Sequence, residues 1–469
     1  MFRLHAAFNL YRRYPILCSA ILLGLAVRIY MIVEVIRPFD KFFSDPYRHW
    51  QNGEFFFQRH FMSLLDPPLY QLFILGLRAI SDSPMLPFTV ASVILSLTMP
   101  LAFGAAVYRF AWGPRAALFA TLCLTIFPST MVNYSFIMPE SLMLTLIGLA
   151  LWASACFWAR PVLWRFLLAT TLWTLATLTK QVAIIPAAIF TGIGWWLHLR
   201  NPKSLVAAMM LVTILIIPNG LRTLDGFGRF APLGKGWIPE IIFLSHTLRM
   251  EFVWFDKRLQ KENSARLGLF YNGTGDYHTV LGGDFLNPEH NQVYDFGPLG
   301  TWRISRDEGA KVPHVNARAA NHGQEFDDLI KKLRTQRSWS LATKQMAENI
   351  LLYFVSESWP EHEILNKKQA PYNTQKSFLW TSLALIFFIW TARILWQRRS
   401  LPIIPFTAFI LSIALMVQPY AILEGRYRKV VEPFVILSLI CYYRMERHRG
   451  HRRHCHYNTS HNNTTISDG

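Results

Sequence analysis

The chain is short of charge, and the charge it has is one-sided. Only 16% of its 469 residues are Asp, Glu, Lys or Arg, against about a quarter in a soluble domain. Acidic residues are the scarcer kind, 29 against 47 basic, which gives a formal net charge of +18. Cysteine is scarce too: of five, Cys18, Cys123, Cys156 and Cys441 lie in apolar runs and Cys455 lies near the end. No spacing matches a zinc site or a disulfide framework, and the redox compartment is not legible. The basic residues do not collect on one soluble face, so no nucleic-acid partner is expected. Many sit in short loops between apolar runs, the signal that orients membrane helices.

Long apolar runs are what the chain has instead. Its residues are 52% hydrophobic, and about 20 consecutive apolar residues cross a bilayer core. The pattern predicts an all-α polytopic membrane protein of about ten transmembrane helices, with a mixed outer-side soluble domain. Residues 1–219 form a membrane module of about seven spans, near 14–35, 86–108 and 116–131, then one ending near 158, then 162–178, 182–198 and 204–219. Residues 220–375 are rich in charge, Gly, Asn and His and hold no run long enough to cross; they read as the outer-side domain. Within them, 338–355 has helical periodicity, with Leu341, Met346, Ile350 and Leu351 as its apolar face. Residues 376–443 add about three spans, near 377–396, 401–418 and 430–443, and 444–469 form a basic cytoplasmic tail. The first run is long, contains Arg28 and lacks a small-x-small cleavage site, so it reads as a retained span. Arg28 either faces a cavity or partner, or snorkels to the interface.

With the basic loops and tail inside, every chemically dense turn falls on the non-cytoplasmic side. The first outer loop, 36–66, carries Phe43-Ser44-Asp45-Pro46-Tyr47-Arg48-His49-Trp50. Pro67-Pro68-Leu69-Tyr70 then opens a helix over 69–80 that is too short to span. Later outer turns carry Glu140, Lys180, Arg222 and Arg426-Tyr427-Arg428-Lys429. Asp45 and Glu140 are the candidate catalytic carboxylates, suited to taking a proton from a hydroxyl. Lys180, Arg222, Arg426 and Arg428 are cations suited to a phosphate, Arg by a bidentate grip and Lys as a point charge. Arg48 and His49 flank Asp45 as substrate contacts. Plainer readings stand beside these. The Asp45 stretch has the makings of a solvated loop, Glu140 of a favourable charge at a helix N-terminus, Lys180 of a helix cap and the Arg426–Arg428 group of a head-group anchor. The sequons at Asn133 and Asn272 fall on the outer side; those at Asn458, Asn462 and Asn463 fall in the tail. His448, His451, His454, Cys455 and His456 read as part of that basic tail, and no cluster argues for a metal.

Four stretches resemble the GT-C superfamily of membrane glycosyltransferases, in the bacterial branch related to protein O-mannosyltransferases and the lipid A aminoarabinose transferase. They are Arg28 with Ser44-Asp45, Pro67-Pro68-Leu69-Tyr70, Pro218-Asn219-Gly220-Leu221-Arg222 with Phe227-Gly228-Arg229-Phe230-Ala231-Pro232-Leu233, and Arg426-Tyr427-Arg428 with Glu432-Pro433. The chain departs from the pattern at Pro46, where an acid often follows the Asp, at Thr223-Leu224 after Arg222, and at Lys429, where an apolar residue is usual. The resemblance implies a polyprenyl-phosphate-linked sugar donor and a glycan, lipid or protein acceptor. It implies Asp45 as general base, Lys180, Arg222, Arg426 and Arg428 near the lipid phosphate, and Arg48 and His49 beside the base. No cofactor is expected, although some GT-C enzymes use a metal. A bacterial inner membrane is favoured over an endoplasmic reticulum. The rival classes are a lipid or solute transporter or flippase, which calls for polar groups at mid-span and internal repeats, and a ligase using a diphosphate-linked glycan.

Overall fold

In the computed structural model, the structure describes residues 9–35, 37–39, 46, 49–50, 53, 56–57, 68–81, 83, 85–227, 230–233, 250–254, 294–295, 301–306, 343, 346–347, 349–351, 353–354, 370–417 and 425–461. The described chain is mainly helical. In order come α1 (Pro15–Tyr30, extended by a π-helical turn over Met31–Val35), α2 (Pro68–Ile80), α3 (Met85–Arg109), α4 (Pro114–Ile126), α5 (Pro128–Val132), α6 (Pro139–Ala159), α7 (Leu163–Thr179), α8 (Ile184–Gly194), α9 (Pro202–Phe227), α10 (Ala370–Trp396), α11 (Ile403–Val417) and α12 (Glu432–His461). Proline opens α1, α2, α4, α5, α6 and α9. At the first helical position its fixed φ suits the helix and its missing N–H has no partner to lose.

Six helical stretches are long and apolar enough to cross a membrane: Pro15–Val35, Met85–Arg109, Pro139–Ala159, Gln181–Leu199, Pro202–Asp225 and Phe378–Trp396. The bent pair Pro114–Ile126 and Pro128–Ser135, with 65° between its halves, makes a seventh. The chain is therefore a multi-pass helical membrane protein. Helix α7 and helix α11, at 17 and 15 residues, are helical where spans are expected but shorter than this measure. As its sequence predicts, α2 is a short apolar helix. Two expected boundaries fall inside helices. The seventh span was expected to stop at 219, yet α9 runs on to Phe227 with Pro218 in its interior. A membrane helix tolerates such a proline where neighbours satisfy the freed carbonyl, and Arg222 consequently stands on the helix. Likewise α12 continues past 443 to His461.

Helix α6 lies at the centre, packed between α3 and α7. Hydroxyls are accommodated in this apolar setting by bonding back one turn. Thr121 donates to Ala117 O, Thr145 to Ser141 O, Thr170 to Phe166 O and Thr174 to Thr170 O, at 2.8–3.0 Å, so these four are satisfied within their own helices. Trp173 Nε1 donates to Ser154 Oγ at 3.0 Å, and the Trp173 ring stacks on Phe190. At one end of the bundle the helices reverse in short turns carrying Arg109, Arg115, Arg160, Arg165, Arg200 and Arg398. Ala111, Arg200 and Arg398 there adopt the left-handed conformation, at φ 59°, 48° and 52°. Further along the chain, β1 (Met250–Trp254), β2 (Tyr294–Asp295) and β3 (Thr301–Arg306) form an antiparallel sheet in the order β1-β3-β2. Its register sets Trp254, Trp302 and Tyr294 in one row.

The expected apolar face of 338–355 is not the buried one: Met346 on it is only half-buried. Ile350 and Leu351 are exposed, while Asn349 and Tyr353 are fully buried; Leu341 lies outside the described residues. The polar tips explain the reversal: Tyr353 Oη is 2.7 Å from Ser412 Oγ on α11, and Trp380 Nε1 of α10 donates to Tyr353 O at 2.8 Å.

Arg28 has partners rather than snorkelling. It is fully buried, and Pro128 explains why. Pro128 has no N–H, so Leu124 O lacks its helical donor, and Phe127 leaves α4 in an extended conformation. Arg28 Nη2 bonds Leu124 O at 2.6 Å and Nε bonds Thr125 O at 2.8 Å. Its remaining donors reach Thr130 O, Thr130 Oγ1 and Ser96 Oγ at 3.0–3.2 Å. One guanidinium thereby joins α1, α3 and both halves of the bent pair.

Close approach also depends on glycine. A Cβ at Gly104 would lie 1.9 Å from Thr121 Oγ1 and 3.2 Å from Ala117 O, where α3 meets α4. Gly104→Val should therefore destabilise the protein by about 1–3 kcal/mol. Gly76→Val, where no atom lies within 4 Å of the added Cβ, should leave stability essentially unchanged. Thermal unfolding of both variants in one detergent checks the contrast.

Candidate functional site

Helices α6 and α7 form an antiparallel hairpin through residues 160–162, which brings the start of α6 beside the end of α7. Glu140 lies in the first turn of α6 and Lys180 directly follows α7. Their side chains form an ion pair, with Glu140 buried and the Lys180 side chain 17% exposed. Glu140 thus occupies a helix N-terminus and also holds a cation from the neighbouring helix. Above the pair, the Lys180 ammonium stands 5.0 Å from the centre of the Tyr427 ring.

Tyr427 belongs to a 3₁₀ turn, Gly425–Val430, that leads into α12. Arg428, in the same turn, is buried, donates through Nε to Glu432 Oε1 at 3.4 Å and faces the Trp380 ring at 5.2 Å. Lys429 is also buried and donates to Asn133 Oδ1 at 3.1 Å. Asn133 is only 1% exposed, so its sequon does not present a glycan acceptor. Arg426 lies in the turn's backbone; the placement of its side chain lies outside the described residues.

Tyr70, near the start of α2, is fully buried against this cluster. Burial first, and the charge of Glu140 second, push its hydroxyl pKa well above the usual tyrosine range. The hydroxyl is therefore neutral at physiological pH. The ring edge of buried His49 packs on it, with centroids 5.5 Å apart. The next residue, Gln71, accepts a long 3.5 Å contact from Arg222 Nη2 through its Oε1. Arg222 Nη1 donates to Asn219 Oδ1 at 3.1 Å, and its guanidinium lies 3.9 Å from the centre of the Phe56 ring. The chain after α9 folds back on the same end: Asn219 donates to Pro232 O at 2.8 Å and Gln181 to Leu233 O at 2.7 Å.

Of the residues singled out in the sequence, His49, Glu140, Lys180, Arg222 and Arg428 therefore lie at the bundle end opposite the short basic turns: Glu140 and Lys180 touch directly, and Arg222 and Arg428 join them through the chain neighbours Gln71–Tyr70 and Tyr427. Asp45 and Arg48 lie outside the described residues. Sequence reasoning did not single out Tyr70, Gln71, Asn133, Tyr427 or Glu432 as site members. Glu432 had a legible signal, four residues after Arg428 at a helix start; Asn133 and Gln71 had none. Among the described residues no group of His, Cys, Asp and Glu is arranged to hold a metal ion.

Breaking a buried ion pair strands a charge, at about 3–5 kcal/mol. Glu140→Gln and Lys180→Met should each lose stability on that scale, and the double variant should lose clearly less than their sum; denaturant unfolding in detergent measures the coupling. Tyr70 gives a second test, of pH dependence. Its folded pKa lies above the unfolded value of about 10, so its contribution is complete below that pH and is lost as pH rises toward the folded value. Between about pH 9 and 11, wild type should lose more stability than Tyr70→Phe, measured by thermal unfolding across that range.

Comparison of the chain with protein-family models, with curated proteins and with solved structures found no match.

Proposed function

We propose that the chain is a membrane glycosyltransferase that moves a sugar from a polyprenyl-phosphate carrier to an acceptor hydroxyl on the non-cytoplasmic face. One observation carries the reading. A carboxylate and cations drawn from distant parts of the chain, Glu140, Lys180, Arg222 and Arg428, meet at one end of the bundle, and the short basic turns lie at the other. In this reading α7, α11 and the apolar start of α12 complete ten crossings, residues 220–375 contribute an outer domain that shapes the acceptor cleft, and the membrane is the bacterial inner one.

Asp45 accepts the proton of the acceptor hydroxyl as its oxygen attacks the anomeric carbon of the donor. The bond from that carbon to the phosphate oxygen breaks, and the polyprenyl phosphate leaves with an added negative charge. Lys180, Arg222, Arg426 and Arg428 stabilise that charge, while Arg48 and His49 orient the base and the substrate. Glu140 holds Lys180 in place through the buried pair. A transporter would recruit intramembrane charge, but Arg28 is committed to backbone carbonyls of the bent pair.

The test is sugar transfer by purified Asp45→Asn protein in lipid, with donor binding measured alongside. Transfer should fall about 10²–10⁴-fold while the lipid-linked sugar still binds. Transfer near the wild-type rate removes Asp45 as base and makes Glu140 the next carboxylate to test. A wild type that neither binds nor transfers any lipid-linked sugar makes transport the leading reading.

A further inference from the structure

Helix α12 starts at Glu432, which Arg428 contacts, and runs for 30 residues to His461. That is about 45 Å of helix against a bilayer core of about 30 Å. Its apolar stretch ends at Tyr443. The last turns carry Cys455 and five of the chain's 15 histidines, His448, His451, His454, His456 and His461. As a stretch of sequence these belong to a basic tail; as a helix they acquire faces. The placement of side chains from His448 onward lies outside the described residues, so the helical backbone alone sets their spacing.

Cys455 stands about 6 Å along the axis from His451 and about 40° round from it; His454 stands about 4.5 Å along and about 60° to the other side. Residues three and four apart are neighbours on a helix surface, so the three form a triangle within one turn. Four-residue spacing is also the one by which two histidines of a helix hold zinc in the His-Glu-x-x-His pattern. The ligand types select the ion. Between Arg447 and His461 there is no Asp or Glu, so magnesium and calcium find no carboxylate oxygens. Imidazole and thiolate suit zinc. This part of the helix also has interior costs to offset. Gly450 weakens it, and Arg449 precedes Arg452 and Arg453 by three and four residues, a spacing at which like charges are unfavourable.

We propose that His451, His454 and Cys455, set within one turn of α12, bind one zinc ion or a similar divalent transition-metal ion. Cys455 binds as the thiolate and releases its proton to solvent; water completes the coordination. The bound ion spans the turn that Gly450 and the arginines weaken. The site lies about 29 Å along the helix from Glu432 and does not depend on glycosyl transfer.

The test uses the full chain in detergent, purified without a polyhistidine tag and stripped of metal with a chelator. Cobalt(II) is titrated first, because a thiolate bound to cobalt gives a charge-transfer band in the near ultraviolet; zinc(II) is then added. Wild type should show the band saturating at one cobalt per chain, and zinc should abolish it. Cys455→Ser should lose the band. His451→Ala and His454→Ala should each weaken binding at least about tenfold, since even groups outside a ligand set act on that scale. His456→Ala, about 140° round the helix from His451, should bind as wild type does. Cys455→Ala replaces Cys455→Ser if the serine variant does not elute as a folded monodisperse species. No band in wild type, a band that survives loss of Cys455, displacement by magnesium or calcium, or undiminished binding in the His451 and His454 variants overturns the site.

Discussion

The Arg28 guanidinium is the interaction on which much of the N-terminal half depends. A proline in the middle of an apolar hairpin frees backbone carbonyls in a medium with no water to take them. The chain answers from another helix, with the side chain that carries most donors in a fixed plane. The bonds to Leu124 O and Thr125 O let the helix break at Phe127 and turn through 65°, and the bonds to Thr130 hold its second half. That second half delivers Asn133 to Lys429. A charge buried among apolar helices thus fixes the backbone directly, and through it one wall of the polar cluster.

The cluster itself is built from pairs that cross between elements. Glu140 of α6 holds Lys180 after α7, Asn133 holds Lys429 before α12, and Gln71 of α2 meets Arg222 of α9. Each partner satisfies a group that would otherwise be costly to bury, and each contact also ties two helices together at the same end. Stability and site geometry are therefore the same set of contacts here. A substitution in this layer changes both, so any change in function has to be read beside stability.

Much of the helix pattern was legible because its signals are local. Apolar runs mark the helices, prolines mark their starts, and Pro67-Pro68 announced α2 as a short helix. Glu140 and Lys180 could be named because acid and base at the edges of apolar runs are conspicuous. Their pairing was not legible, since it depends on how the α6–α7 hairpin closes. The end of α9 was misplaced because a proline and a glycine at 218 and 220 look like a stop; in lipid the helix passes through them. The face of 338–355 was misread for a related reason. Where the surroundings are apolar, an exposed Ile350 costs nothing, while Tyr353 has to find Ser412. Gln71 and Asn133 carry no site signal of their own, because their importance lies wholly in what the fold sets beside them.

The reversals at the basic end have a mechanical consequence. They are two to six residues long, and three of them contain a residue in the left-handed conformation. Such joints have little slack. They hold adjacent helices at a fixed spacing, as the spring of a clothes peg holds its arms.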